Sequence, residues 1–159
     1  MKKFSKFNYY CPSPKCTLKI GKEIGKRAQV GDVILLIGEL GVGKTWLTKG
    51  IAEGLGVAEE YPITSPTFVF VQGYKGRLPL YHIDLYRIER GIDFSILGVE
   101  EYIFGDGVTV IEWAEKLPNN LIPSKFLKIQ ILFANKGRKL EFITNIAHFK
   151  AMRYDLKKE

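Results

Sequence analysis

Val33-Ile34-Leu35-Leu36-Ile37-Gly38-Glu39-Leu40-Gly41-Val42-Gly43-Lys44-Thr45 decides the fold of this 159-residue chain. Five apolar residues, branched or leucine, read as a buried strand. The next eight match G-x-x-x-x-G-K-[ST], the phosphate-binding P-loop. Each residue type has a physical task. Glycines let the backbone curl so that successive N–H groups face one anion. The helix that follows presents its positive N-terminal end. Lys44 reaches the outer phosphates, and the Thr45 hydroxyl can ligate Mg²⁺. Helical spacing of Trp46, Leu47, Gly50, Ile51 and Leu55 supplies the helix that the motif requires. The expected nucleotide-binding stretch is therefore Glu39, Leu40, Gly41, Val42, Gly43, Lys44, Thr45 and Trp46. The plain alternative is a glycine turn between strand and helix. A chance match in a chain this long is about one in a hundred, which weighs against it.

The bulk numbers suit a single domain over residues 1–159. Hydrophobic residues at 46% and charged residues at 26% describe an ordinary globular protein. No apolar run reaches the length of a membrane span, and the basic start lacks a following apolar segment of the secretory kind. The expectation is a cytoplasmic protein. Cys11 and Cys16 are too few for a disulfide scaffold, and no second pair completes a zinc site, so reduced structural thiols are expected. The net charge of +7 permits a nucleic acid or an acidic partner without requiring one, and its lysines are scattered.

Outward from the P-loop, Thr17 reads as the cap of a helix carrying Leu18, Ile20, Ile24 and Ala28. Residues before it read as irregular or as an edge strand. The P-loop helix is expected to end near Gly54 or Gly56. A hairpin is expected from the strand-like segment through Val71, the turn at 72–77 and the strand from Leu78 to Tyr86. Residues 92–104 suggest one or two short helices, and Val108-Thr109-Val110-Ile111 a central buried strand. A late hairpin turns around Asn135-Lys136-Gly137, and the tail from Ala147 suggests a short helix. The fold class is α/β, a P-loop NTPase-type sheet with a parallel core and antiparallel additions.

In such sheets ligands sit at the carboxyl ends of the strands, where an acid commonly serves Mg²⁺. Asp84 and Glu112 each end a strand. Either can bind the metal, hold one of its waters or orient an attacking water, and either can be an ordinary surface acid. Asp84, with the shorter side chain, is expected in the Mg²⁺ shell, and Glu112 on the attacking water. Thr64-Ser65-Pro66-Thr67 has the place of a loop that senses a γ-phosphate, or is simply a turn. His82 reads as a hydrogen-bonded structural imidazole, and Trp113 as core or as a cover over the nucleotide.

Together these pieces resemble the TsaE family of bacterial tRNA threonylcarbamoyladenosine biosynthesis. The matching segments are residues 38–45, then Ser65-Pro66-Thr67-Phe68, then Leu80-Tyr81-His82-Ile83-Asp84-Leu85-Tyr86-Arg87, then Ile111-Glu112-Trp113. The resemblance covers about residues 17 to 133. It implies ATP with Mg²⁺, slow hydrolysis alone, and stimulation by partners of the TsaD and TsaB families. It implies contact with tRNA through that complex, and ATP hydrolysis that resets the complex between turnovers. Carried over by position, Lys44, Glu112 and Asp84 are the catalytic residues. Thr45, Asp84 and Glu112 are the metal ligands, and Thr67 and Trp113 join the nucleotide site. Trp46 stands where many members have a second Thr or Ser, and Glu39 replaces a common Asp. A small-molecule kinase and a non-catalytic, nucleotide-dependent binding module are the competing readings.

Overall fold

The computed structural model describes residues 3–64, 70–89 and 91–158. Among these residues, strand β2 (Val33–Ile37) lies at the middle of one seven-stranded sheet. It pairs in parallel with β5 (Val108–Glu112) on one side and β6 (Leu127–Ala134) on the other. β4 (Leu80–Asp84) continues the parallel set beside β5. Antiparallel strands finish both edges. β3 (Val71–Tyr74) pairs with β4, while β7 (Gly137–Thr144) and β1 (Ser5–Cys11) extend the β6 side. The expected parallel core with antiparallel additions is present.

The run of apolar residues in β2 follows from burial on both faces. Ile34 and Leu36 join a core with Ile20, Ile24, Leu47 and Ile51, which belong to α1 (Pro14–Arg27) and α2 (Lys44–Gly54). Val33 and Leu35 face the opposite core, with Ile83, Ile111, Val99 and Ile103. The last two come from the segment of α3 (Phe94–Leu97) and α4 (Glu100–Ile103). The tail packs as α5 (Ala147–Lys150) and α6 (Met152–Asp155), with Phe149 and Met152 fully buried in the first core.

Two readings of the first helix are corrected. Its cap is Ser13, not Thr17. The Ser13 hydroxyl accepts from Cys16 N–H at 3.2 Å, and proline holds the first helical position, where it has no hydrogen bond to lose. The cysteines are joined, not reduced. Cys11 ends β1 and Cys16 lies in the first turn of α1, so the Pro12-Ser13-Pro14 corner brings their Cα atoms to 5.3 Å and the structure closes a disulfide.

The placement of α2, and so of the P-loop, depends on a contact that hydrophobic spacing does not announce. Gly21 and Gly25 of α1 face Gly50 and Gly54 of α2 so closely that a Cβ at any of them would strike the other helix's backbone. Only glycine permits that approach. The helices thus stack backbone to backbone, and the loop at the head of α2 sits above the carboxyl end of β2.

Candidate nucleotide and metal site

The P-loop curls as its glycines allow. Gly41 and Gly43 have φ of +78° and +120°, and a Cβ on either would point into open space. Side chains rarely adopt such φ values, so the open cradle is made by glycine backbone. Arg138, on β7, braces it from behind by donating from Nε to the Val42 carbonyl at 2.8 Å.

Lys44 is buried at the start of α2. Its Nζ donates to the carbonyls of Gly38 at 2.5 Å and Glu39 at 2.9 Å, and lies 4.2 Å from the centre of the Trp113 ring. Burial lowers the ammonium pKa, opposed by the nearby charges of Glu112, Glu115 and Asp84. Trp113 itself takes φ of 58°, an uncommon value for a bulky residue and a sign of local constraint. That twist starts a 3-10 turn at Ala114–Lys116 and leaves the indole between Lys44 and Tyr86, whose ring centre is 5.1 Å away. Beyond it opens a cleft of about 870 Å³ lined by Ile88, Phe94, Glu115, Lys116 and Leu121 among others.

Glu112 and Asp84 lie side by side, because β4 and β5 are parallel neighbours in register. Their surroundings differ. Glu112 is 2% exposed. The Thr45 hydroxyl donates to it, at 3.0 Å from Oε1 and 3.3 Å from Oε2. His82 Nε2 lies 3.0 Å from Oε1, and Thr48 Oγ1 lies 3.3 Å away. Asp84 is half-buried and accepts from the Tyr86 N–H at 2.9 Å. Burial raises its pKa most, Glu112 adds to the rise, and the Tyr86 N–H, His82 and Lys44 oppose it.

That rise has a testable sign. A carboxyl whose folded pKa exceeds its unfolded value binds protons better when folded, so its contribution to stability falls as pH rises through that interval. At neutral pH the charged Asp84 is a cost to the fold. Asp84→Asn keeps an oxygen for the Tyr86 N–H, and is expected to raise the melting temperature at pH 7 and to lose that advantage at acid pH. Each kcal/mol recovered corresponds to about 2–4 °C. Thermal melts of both proteins across the acid range check it, and an advantage that persists unchanged below the carboxylate range overturns it.

The structure thus brings Lys44, Thr45, Glu112, Asp84 and Trp113 to one end of the sheet. Trp46, by contrast, is 43% exposed, with Lys49 Nζ 4.8 Å from its ring centre. It lines a small cleft beside the P-loop with Pro12, Ser13, Thr17 and Lys136. Thr67 lies outside the described residues. From its sequence context His82 reads as a hydrogen-bonded structural imidazole, and in the structure its partner is the Glu112 carboxylate.

Relatives place the chain in a known family. Residues 11–140 match the family model described as threonylcarbamoyl adenosine biosynthesis protein TsaE. The chain belongs to the TsaE family. It is 45% identical over 109 residues to a tRNA threonylcarbamoyladenosine biosynthesis protein TsaE of Treponema pallidum, covering 69% of this chain and 79% of that one. The Bacillus subtilis protein of the same name is 44% identical over 120 residues, covering 75% and 73%. The fold is similar to a crystal structure of Bacillus subtilis YdiB, at a TM-score of 0.76 and 33% identity, covering 98% of this chain and 97% of that one. No helix among the described residues is long and apolar enough to cross a membrane.

Proposed function

We propose that this TsaE-family chain is the Mg²⁺-dependent ATPase subunit of tRNA threonylcarbamoylation. In this reading it hydrolyses ATP slowly alone and faster beside TsaD- and TsaB-type partners in the cytoplasm. It reaches tRNA only through that complex, and its hydrolysis step resets the complex between turnovers. The observation that carries the reading is the contact of Thr45 with Glu112. It joins the hydroxyl of a phosphate-binding loop to a buried carboxylate at the end of the adjacent parallel strand.

The donor set fits Mg²⁺. Thr45, Glu112 and Asp84 offer hard oxygens, which this cation prefers. Among the described residues no three His, Cys, Asp or Glu side chains form a cage. Mg²⁺ bound with a nucleotide needs none, since one or two carboxylates plus phosphates suffice. Thr45 and Glu112 would hold the ion, with Asp84 beside them. This moves Glu112 toward the metal and leaves Asp84, the more accessible acid, better placed for a water. Bound there, the ion would neutralise charge on the phosphates as it builds in the transition state.

The chain's own groups have definable tasks. The P-loop N–H groups bind phosphate oxygens. Lys44 turns its ammonium from the Gly38 and Glu39 carbonyls to the outer phosphates, and Trp113 keeps water from it. The small cleft between Pro12, Trp46 and Lys136 would take the base and ribose.

Phosphate release from ATP tests the reading directly, measured with the chain alone and then with TsaD- and TsaB-type proteins. A slow rate alone, a marked increase with both partners and dependence on Mg²⁺ are expected. Equal rates with and without them would refute the subunit role. Transfer of phosphate to an added small-molecule acceptor would favour a kinase instead.

A further inference from the structure

The one buried histidine of the site has no task in the reading above. His82 is fully buried on β4, and its Nε2 lies 3.0 Å from Oε1 of Glu112. Its other ring nitrogen, Nδ1, is buried and has no hydrogen-bond partner among the described residues. A carboxylate only accepts, so the proton of this contact belongs to the imidazole. It sits on Nε2, with Nδ1 left as a bare lone pair.

Competing donors at Oε1 are weaker in position. The Thr48 hydroxyl has one proton, and the Lys44 carbonyl one turn back takes it at 2.9 Å, closer than Glu112 at 3.3 Å. The Thr45 hydroxyl straddles both carboxylate oxygens. It therefore does little to fix which way the carboxylate plane faces. The terminal torsion of a glutamate is broad, so rotation must be set from outside. His82 is the group that can set it, because its ring is held rigidly in a strand that pairs residue for residue with β5.

We propose that His82 is a positioning residue for the metal site. By donating from Nε2 to Oε1 it holds the Glu112 carboxylate plane toward Thr45 and the Mg²⁺ position. The proposal rests on the Mg²⁺ reading given above. Groups that orient a metal ligand in this way typically contribute about 10–100-fold to metal affinity.

The test is calorimetric titration of ADP into the full-length chain over a range of Mg²⁺ concentrations, with an arm in chelator. His82→Leu removes the donor. His82→Gln places an amide nitrogen near the position of Nε2, and His82→Asn places one near that of Nδ1. His82→Leu and His82→Asn are expected to raise the Mg²⁺ concentration for half-maximal tightening by about 10–100-fold. Their metal-free ADP affinity should stay within a few-fold of native, and His82→Gln should recover most of the Mg²⁺ response. In a Glu112→Gln background the His82 substitutions should add nothing.

An unchanged Mg²⁺ response in His82→Leu overturns the proposal. So does a loss in His82→Gln as large as in His82→Asn, which would mark packing and not the donor. A parallel loss in chelator overturns it too, by showing a deformed P-loop. Should His82→Leu fail to fold, the Gln and Asn pair decides alone. A native chain whose ADP affinity ignores Mg²⁺ removes the metal reading itself. A native response that all three variants preserve removes only the role of His82.

Discussion

Lys44→Met is expected to abolish detectable nucleotide binding while the fold survives. The two halves of that result have separate causes. An ammonium donating to phosphate oxygens makes charge-assisted hydrogen bonds, stronger than neutral ones, and methionine makes none. At roughly 1.5–3 kcal/mol for each such bond, two lost contacts amount to about a hundredfold or more in affinity. The fold, in contrast, gains little from the charge. Burial lowers the Lys44 pKa despite the three acids around it, so the folded chain holds this proton less tightly than the unfolded chain does. For such a group the cost to stability is present at neutral pH and fades as pH rises through the folded pKa toward the unfolded one. Methionine fills a similar volume without that cost, although the Gly38 and Glu39 carbonyls lose a donor. The melting temperature should therefore stay within about 4 °C of native, the equivalent of about 1 kcal/mol. The lowered pKa of Lys44 also leaves a pH signature. Phosphates favour the charged ammonium and burial disfavours it, so at alkaline pH, approaching the ordinary lysine value from below, ATP binding should take up protons. Calorimetry in two buffers of different ionisation enthalpy measures the uptake, which Lys44→Met should abolish. Native affinity in that variant would show that this loop is not the site.

The sequence made the local parts of this site legible and left the shared parts hidden. The P-loop is readable because its chemistry is in the backbone, and Gly41 and Gly43 report the required curl directly. β2 and β5 are readable because strands buried on both faces are nearly continuous runs of apolar residues, broken in β5 only by Thr109 before the closing Glu112. The start of α1 is hard to place from sequence because Ser13 and Thr17 are both good caps, and only the proline after Ser13 separates them. The glycine contacts between α1 and α2 stay silent in one dimension, since nothing in the chain says that Gly21 will meet Gly50. The disulfide is hidden for the same reason, since it depends on how tightly the corner after β1 turns. Least legible was the partner of His82. It follows from β4 lying beside β5, and strand order is a property of the whole sheet.

Strand order also bears on the roles proposed for the two acids. With Asp84 and Glu112 level on neighbouring strands, side-chain length alone gives no reason to prefer one for the metal. Their hydrogen bonds do. Glu112 is buried and receives the Thr45 hydroxyl, the group that a P-loop offers to Mg²⁺, whereas Asp84 is half-buried with a backbone N–H as partner. Glu112→Gln is therefore expected to raise the Mg²⁺ requirement for nucleotide binding by at least tenfold. It should also lower partner-stimulated hydrolysis by about 10²–10⁴, because a misplaced metal no longer offsets charge in the transition state. Asp84→Asn is expected to leave the Mg²⁺ requirement within a few-fold and to slow turnover alone, as loss of a group that acts only on the attacking water does. Nucleotide affinity and turnover, each followed across a Mg²⁺ titration for both variants, separate the two. A larger shift in Mg²⁺ requirement for Asp84→Asn than for Glu112→Gln would return the metal to Asp84. Equal shifts would mean that the two carboxylates share its water shell.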